Sequence, residues 1–172
     1  MISLLQPTRE ELRKLLLRAE REPFRGYAIT TAALPPRTVA DEALRLPIAA
    51  LRPYRWTAPF LIVSDERVVG SIGGKGLLED EDEVELGYNV APAYRGRGIA
   101  TIAIGSCVDL LRADGCWPLA HVEPHNEPSR RALRRNGFVV EAIVRLPDSL
   151  DLERWRLPDQ YDPPLEGRDV AL

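Results

Sequence analysis

Lysine is almost missing from this chain. Only Lys14 and Lys75 stand among 23 basic residues, so arginine is the background cation and a local arginine cluster says little about partners. The net charge is −3 and the pI about 5.5, which excludes nucleic-acid binding through a basic field. No apolar run approaches the ~18 residues of a membrane span. The opening M-I-S-L-L-Q-P-T-R-E lacks the charged-then-apolar layout of a secretory signal. The expectation is a cytoplasmic protein with no membrane partner. Cysteine is limited to Cys107 and Cys116, neither beside a base in sequence, which points to reduced packing thiols and away from a disulfide framework. The two histidines, His121 and His125, flank Glu123 with no third ligand pattern. That is not a zinc signature, and no metal is expected. His121 reads as a core-facing or cleft-wall strand residue.

What is present suits one domain spanning residues 1–172, with 45% hydrophobic and 28% charged residues and no repeat or linker. Ile2 to Leu5 reads as an edge strand. Thr8 with Glu11 three residues on reads as a capping box for a helix over Arg9–Arg21. Glu22 to Pro36 is irregular. The spacing predicts a second helix over Thr38–Leu51, kinked or split by Pro47. Phe60–Val63 and Val68–Ile72 read as two strands about a tight polar turn, with Gly73, Gly74 and Gly76 marking a bulge or a close backbone approach. The run Glu79–Glu83 reads either as a solvated hairpin loop or as an acidic collar for a protonated amine. Beyond it come a helix over Ile99–Ala113 stopped by Gly115, and a strand over Leu119–Val122. A compact helix with Pro128 in its first turn follows, then closing strands Phe138–Val144 and Leu152–Leu157. Pro158–Leu172 reads as a mobile tail.

The chain is organised around Val84–Ala100, V-E-L-G-Y-N-V-A-P-A-Y-R-G-R-G-I-A. Val84, Leu86, Tyr88 and Val90 alternate with Glu85, Gly87 and Asn89, as a half-buried strand requires. Pro92 ends the strand, and Arg95-Gly96-Arg97-Gly98 turns into a dense apolar helix. The first N–H groups of a helix lack intrahelical partners and lie at the positive end of its dipole. Glycines there let an anion approach the main chain. Neither G-x-x-x-x-G-K-[ST] nor G-x-G-x-x-G occurs at this junction.

Arg95-x-x-Gly98-x-Ala100 has the form [QR]-x-x-G-x-[GA]. About 30 residues later Asn126-Glu-Pro-Ser129 with Gly137-Phe138 has the form N-x-x-S followed by G-F. In this order the two motifs resemble the GNAT superfamily of acyl-CoA-dependent N-acyltransferases. The match is best to the branch containing the ribosomal-protein alanine N-acetyltransferases RimJ and RimL, and it covers about Phe60–Leu157. The resemblance implies an α+β fold: a mixed, mostly antiparallel central sheet with helices on both faces, splayed between strands 4 and 5, where acetyl-CoA lies as co-substrate. It also implies that the Val90 N–H holds the thioester carbonyl. N–H groups of Arg95, Gly96, Arg97, Gly98, Ile99, Ala100 and Thr101 would hold the pyrophosphate, and Asn126 would bond the pantetheine arm or the acceptor. Glu22–Pro53 would cover the amine entrance.

The reaction so implied is direct attack of a primary amine on the acetyl group, with an N-terminal α-amine of a protein or peptide favoured. Glu85 is the candidate base, and its alternative is a solvated residue ending the acidic run. Many relatives carry a tyrosine acid four residues after Ser129, where this chain has Leu133. Ser129 is then the remaining donor to the leaving thiolate, or a first-turn serine bonding its own backbone. A small-molecule acetyltransferase for a polyamine, amino acid or aminoglycoside stands as the rival, motivated by the acidic run. A non-catalytic acyl-CoA-binding module is the reading from another class. The acyl chain, the acceptor and the oligomeric state, a homodimer included, are left open.

Overall fold

A computed structural model of the chain describes residues 1–17, 22–45, 54–74, 83–145 and 151–158. Its strands and helices follow largely from local chemistry. Helix α1 (Arg9–Leu17) follows strand β1 (Ile2–Leu5) and is started by a reciprocal cap. The Glu11 N–H donates to Thr8 Oγ1 at 3.2 Å, and the Thr8 N–H donates to Glu11 Oε2 at 2.8 Å. Next come β2 (Ala28–Ile29), α2 (Arg37–Arg45) and the single-turn α3 (Tyr54–Thr57). The hairpin β3 (Phe60–Ser64) and β4 (Arg67–Gly74) turns at Asp65–Glu66, both at positive φ. Strand β5 (Glu83–Val90) leads through a 3₁₀ turn (Pro92–Tyr94) into α4 (Ile99–Ala113). The chain closes with β6 (Trp117–Val122), α5 (Glu127–Arg135), β7 (Val139–Arg145) and β8 (Asp151–Arg156).

Among the described residues eight strands form one sheet in the order β1-β3-β4-β5-β6-β8-β7, with β2 on β4. All pairs are antiparallel except β2 with β4 and β5 with β6. This is the mixed, mostly antiparallel sheet expected. Strand β5 is the one that organises the site. Its first residues, Glu83 to Glu85, pair with Trp117 to Leu119 of β6, whereas Leu86 to Val90 pair only with β4. The sheet therefore forks after Glu85, between the fourth and fifth of the strands expected from sequence.

Helices cover both faces. Phe60, Ile62, Val69, Leu86 and Val122 pack with Ile104, Cys107 and Leu111 of α4 and Leu133 of α5. The opposite side of β3, Leu61 and Val63, packs with Leu15 of α1 and Val68. Alternation along one strand thus feeds two cores.

Several sequence expectations are corrected. The second helix is described over Arg37–Arg45, and a separate turn, α3, precedes β3. Pro47, Ile48 and Leu51 fall outside the described residues, as do Ala19, Gly76, most of the acidic run and 159–172. The irregular Glu22–Pro36 stretch contains β2, too short to show a period. Glu83 is not in a solvated loop. It opens β5 at 7% exposure and is ion-paired with Arg154 and Arg156 of β8. With Glu141, which both arginines also contact, two carboxylates and two guanidinium groups compensate one another there, which repulsion within the acidic run could not reveal.

The glycines of β4 serve close approach. A Cβ on Gly74 would lie 2.0 Å from the Trp56 carbonyl oxygen and 2.9 Å from a Val84 methyl group. Gly74→Ala is expected to lower stability by ~1–3 kcal/mol through overpacking, measured by urea denaturation. Glu11 gives a pH dependence. The Arg25 guanidinium, with the Thr8 N–H, lowers its carboxyl pKa from 4.5 to about 2. The stabilisation is complete above the unfolded value and is lost as pH falls towards 2. Glu11→Gln should flatten the acid-side stability profile across that interval, and an unchanged slope would dismiss the capping pair as its source.

Candidate active site

The fork leaves main-chain donors at the end of β5. Gly70 and Val90 are register partners, and the Ala91 N–H donates to the Val69 carbonyl at 2.8 Å. In an antiparallel ladder successive N–H groups point to alternate sides. The N–H of Val90 therefore turns away from β4, towards the side from which β6 has departed. The Val90 carbonyl accepts from Arg95 Nε at 3.0 Å, so the arginine side chain folds back over the strand end.

The bend that follows opens α4. Gly96 and Gly98 sit at φ 76° and 75°, and a Cβ on either would meet nothing within 4 Å. Gly98 is the N-cap of α4 and offers no side chain to its amides. The helical ladder begins with the Ile102 N–H donating to the Gly98 carbonyl, so the N–H groups of Ile99, Ala100 and Thr101 have no main-chain partner. Asn136 fixes this turn against α5, donating through Nδ2 to the carbonyls of Thr101 (3.0 Å) and Ala132 (2.8 Å).

These groups face one cleft of about 610 Å³. Val90 and Arg95 line it from the strand end, Gly96 and Gly98 from the bend, Ile99 to Thr101 from the helix, and Asn126 and Ser129 from α5. The structure thus brings together nine of the residues singled out from sequence. Asn126 caps α5, its Oδ1 accepting from the Ser129 N–H at 3.3 Å. The main-chain amide of Arg95 is committed to the Pro92 carbonyl at 3.3 Å, so the residue faces the cleft with its side chain. Arg97 is not in the cleft wall and lies over the Tyr94 ring, 5.0 Å from its centroid.

Uncapped amides, open glycines and the residues Arg95, Arg131 and Arg135 line this cleft together. That set fits a long polyanionic ligand with a diphosphate at the helix end. A side-chain cap on α4 would have filled the place, and none is present.

Glu85 lies outside the cleft wall. It is register partner to Leu119, and its Oε2 lies 3.3 Å from His121 Nδ1, both side chains being largely withdrawn from solvent. A second, smaller hollow of about 120 Å³ adjoins the cleft, lined by Pro35, Pro36, Val39 and Pro59 and sharing Tyr88 and Asn89 with it. Asn89 ties the two sides together. Its Oδ1 accepts from Ser71 Oγ, and its Nδ2 donates to the Ala32 carbonyl at 3.0 Å.

Sequence reasoning missed Tyr88, whose hydroxyl reaches the Ser129 carbonyl at 3.5 Å and whose burial raises its pKa. Its place in the apolar alternation disguised it as core. It also missed the arginines of α5, hidden among the many others. Leu133 is fully buried between α5 and the sheet, so that position serves packing.

A model of the acetyltransferase (GNAT) family matches residues 15–138. An uncharacterized N-acetyltransferase, p20 of Bacillus licheniformis, is 26% identical over 118 residues, which are 64% of this chain and 62% of that protein. The structure of Mycobacterium smegmatis RimJ in complex with CoA-disulfide is 27% identical with a TM-score of 0.51, over 57% of this chain and 51% of RimJ. The chain therefore spans less than two thirds of either relative. A chimeric spermidine N-acetyltransferase, SpeG of Vibrio cholerae combined with hSSAT, shares the fold at a TM-score of 0.61 and 16% identity, over 91% of this chain and 94% of the chimera.

Cys107 is buried against α4's core partners, and burial pushes its thiol pKa up to about 12, whereas Cys116 is half-buried. Neither thiol is in the cleft wall. With Ellman's reagent at pH 8, about one thiol should react in the folded protein and a second only on denaturation. Rapid native reaction of both would show that Cys107 is not sealed.

Proposed function

The chain belongs to the acetyltransferase (GNAT) family, and we propose from that premise that it is an acetyl-CoA-dependent N-acetyltransferase whose acceptor is the α-amine of a peptide or protein N-terminus. The observation that carries the reading is the convergence of a strand-end amide and an uncapped helix N-terminus on one cleft. The complex of RimJ with CoA-disulfide supports the choice of ligand.

Acetyl-CoA supplies a thioester whose carbonyl carbon an amine can attack. In this reading the chain does the rest by preorganisation. The Val90 N–H points where negative charge develops on the carbonyl oxygen, and such a donor strengthens as the bond forms. The amides of Gly96 and of Gly98 to Thr101, with the arginines of the cleft, hold the diphosphate. Asn126 keeps its Nδ2 for the pantetheine arm, since its Oδ1 is engaged by Ser129. Ser129 stands beside the same arm as the donor to the departing sulfur. Glu85 contributes to the base function, which need only be weak: an α-amine has a pKa near ~8, against ~10.4 for a lysine side chain.

The small hollow supports a peptide acceptor. Its apolar wall is Pro35, Pro36, Val39, Pro59 and Ile72, beside the neutral Ser71, Tyr88 and Asn89, and among the described residues no carboxylate lines it. A hollow of this kind suits a small apolar first residue and offers nothing to a polycation. The described member of the acidic run, Glu83, is held by Arg154 and Arg156, so it is not a collar for a polyamine.

Thiol release from acetyl-CoA should be at least tenfold faster with peptides beginning in Ala or Ser than with spermidine or an aminoglycoside. Faster turnover of spermidine would replace the acceptor class. Tight coenzyme A binding with no turnover of any amine would leave a binding module. Gly98→Ala puts a side chain at φ 75° beside the open amides. It should weaken coenzyme A binding about tenfold by calorimetry, through strain of ~1–2 kcal/mol.

A further inference from the structure

The base assigned to Glu85 is badly placed to act alone. Strand β5 carries the carbonyl-holding amide at Val90, five residues beyond Glu85, and at ~3.3 Å per residue that is a separation of about 16 Å. The Glu85 carboxylate lines neither the cleft nor the hollow. His121 stands nearer to the strand end. Strand β6 runs parallel to β5 with Leu119 opposite Glu85, so His121 lies level with Gly87, just beyond the fork and three residues short of Val90. In a paired register Glu85 and Leu119 share a sheet face, and His121 shares it by alternation, along with Gly87 and Asn89. This is the face away from α4, since Val84, Leu86, Ala120 and Val122 occupy the other. Gly87 and Asn89 also line the small hollow taken above as the acceptor site. Gly87 has no side chain to stand between them and His121.

We propose that His121 is the proton relay for the acceptor amine, with Glu85 positioning it. The inference rests on the acetyltransferase reading and deepens it. Glu85 Oε2 lies 3.3 Å from His121 Nδ1, so the carboxylate accepts the Nδ1–H and fixes the tautomer, which leaves the Nε2 lone pair for the substrate. The side chains are 20% and 16% exposed, open enough for a bridging water and closed enough to stay oriented. The acceptor nitrogen forms a bond to the acetyl carbon and the carbon–sulfur bond breaks. The proton lost by nitrogen passes to Nε2, directly or through one water, and the sulfur departs as thiolate. An imidazole both takes and releases protons near neutrality, which an ordinary carboxylate does not.

Other charges face this pair. Arg154, the β8 register partner of His121, is held by Glu83 and Glu141, and Arg156 by the same two carboxylates. From β5, β7 and β8 these groups neutralise one another and leave Glu85 as the carboxylate beside His121.

The test uses the whole chain with acetyl-CoA and an Ala-initiated peptide, alongside ¹⁵N NMR of the imidazole in the protein without coenzyme A. His121→Asn should lower kcat about 100-fold, leave peptide KM and coenzyme A affinity within twofold, and remove the acid limb of the pH profile. Free imidazole should restore turnover to His121→Gly. Glu85→Gln should cost about tenfold and move that limb to lower pH. The NMR spectrum should show a protonated Nδ1 and a bare Nε2, and Glu85→Gln should mix the tautomers. An active parent with an unchanged pH profile in His121→Asn, or a protonated Nε2, overturns the relay alone. A parent inactive towards every amine overturns the acetyltransferase reading beneath it.

Discussion

The parting of two parallel strands is the constraint on which the molecule depends. A strand inside a sheet uses its main-chain donors on both sides, so it has none for a ligand. Strand β5 uses both sides only as far as Glu85, and from Leu86 onwards it is bonded to β4 alone. Such an exposed edge invites either closure or aggregation, and both ends of the opening are pinned. At the closed end Glu83 joins β5 to β8 through Arg154 and Arg156. At the open end Arg95 bonds the Val90 carbonyl and Asn89 bonds the Ala32 carbonyl. Breaking the half-buried pairing at Glu83 would leave the two arginines with Glu141 as their shared carboxylate and loosen the closed end.

Helix α4 is the second half of the device. Its apolar face, with Ile104, Cys107 and Leu111 at 0% exposure, anchors it under the sheet on both sides of the fork. Its first turn then projects amides into the opening. Asn136 clamps that turn to α5, and Gly105 allows α5 to come close: a Cβ there would lie 2.9 Å from Asn136 Oδ1. The cleft is therefore walled by three elements whose relative positions are set by packing, and preorganised donors need that rigidity to favour a transition state over water.

Much of this was legible in the residues. Period-two alternation located β5, the density of apolar residues located α4 between its observed bounds, and Pro128 with Asn126 located α5. The two glycine-bearing motifs located the cleft, because they constrain backbone that only a few residue types adopt. What stayed hidden depended on register across the sheet. Nothing local says that Glu83 meets β8, that β2 pairs with β4, or that His121 stands against Glu85. The first and last follow from how β6 and β8 line up against β5, and the second from a two-residue strand meeting β4 from a distant stretch of chain, none of which loop lengths determine. The single turn α3 is too short to carry a period at all.

The two faces of the fork divide the chemistry. In the proposed reading a diphosphate-bearing ligand would enter from the α4 side, where amides and arginines gather, and the small proline-lined hollow opens on the opposite face. Tyr88 and Asn89 border both, and they occupy the part of β5 that no longer pairs with β6. An amine seated in the hollow and an acyl group held at Val90 would therefore approach each other through the fork, along the strand edge. Separate entry matters physically. A neutral amine is the nucleophile, and strong cation-binding groups beside it would favour its protonated, unreactive form. An apolar hollow favours the neutral form by withholding water and countercharge. Arg131 and Arg135 stand on α5, on the other face of the sheet from the hollow, where their charge would serve ligand binding without interfering with the attack.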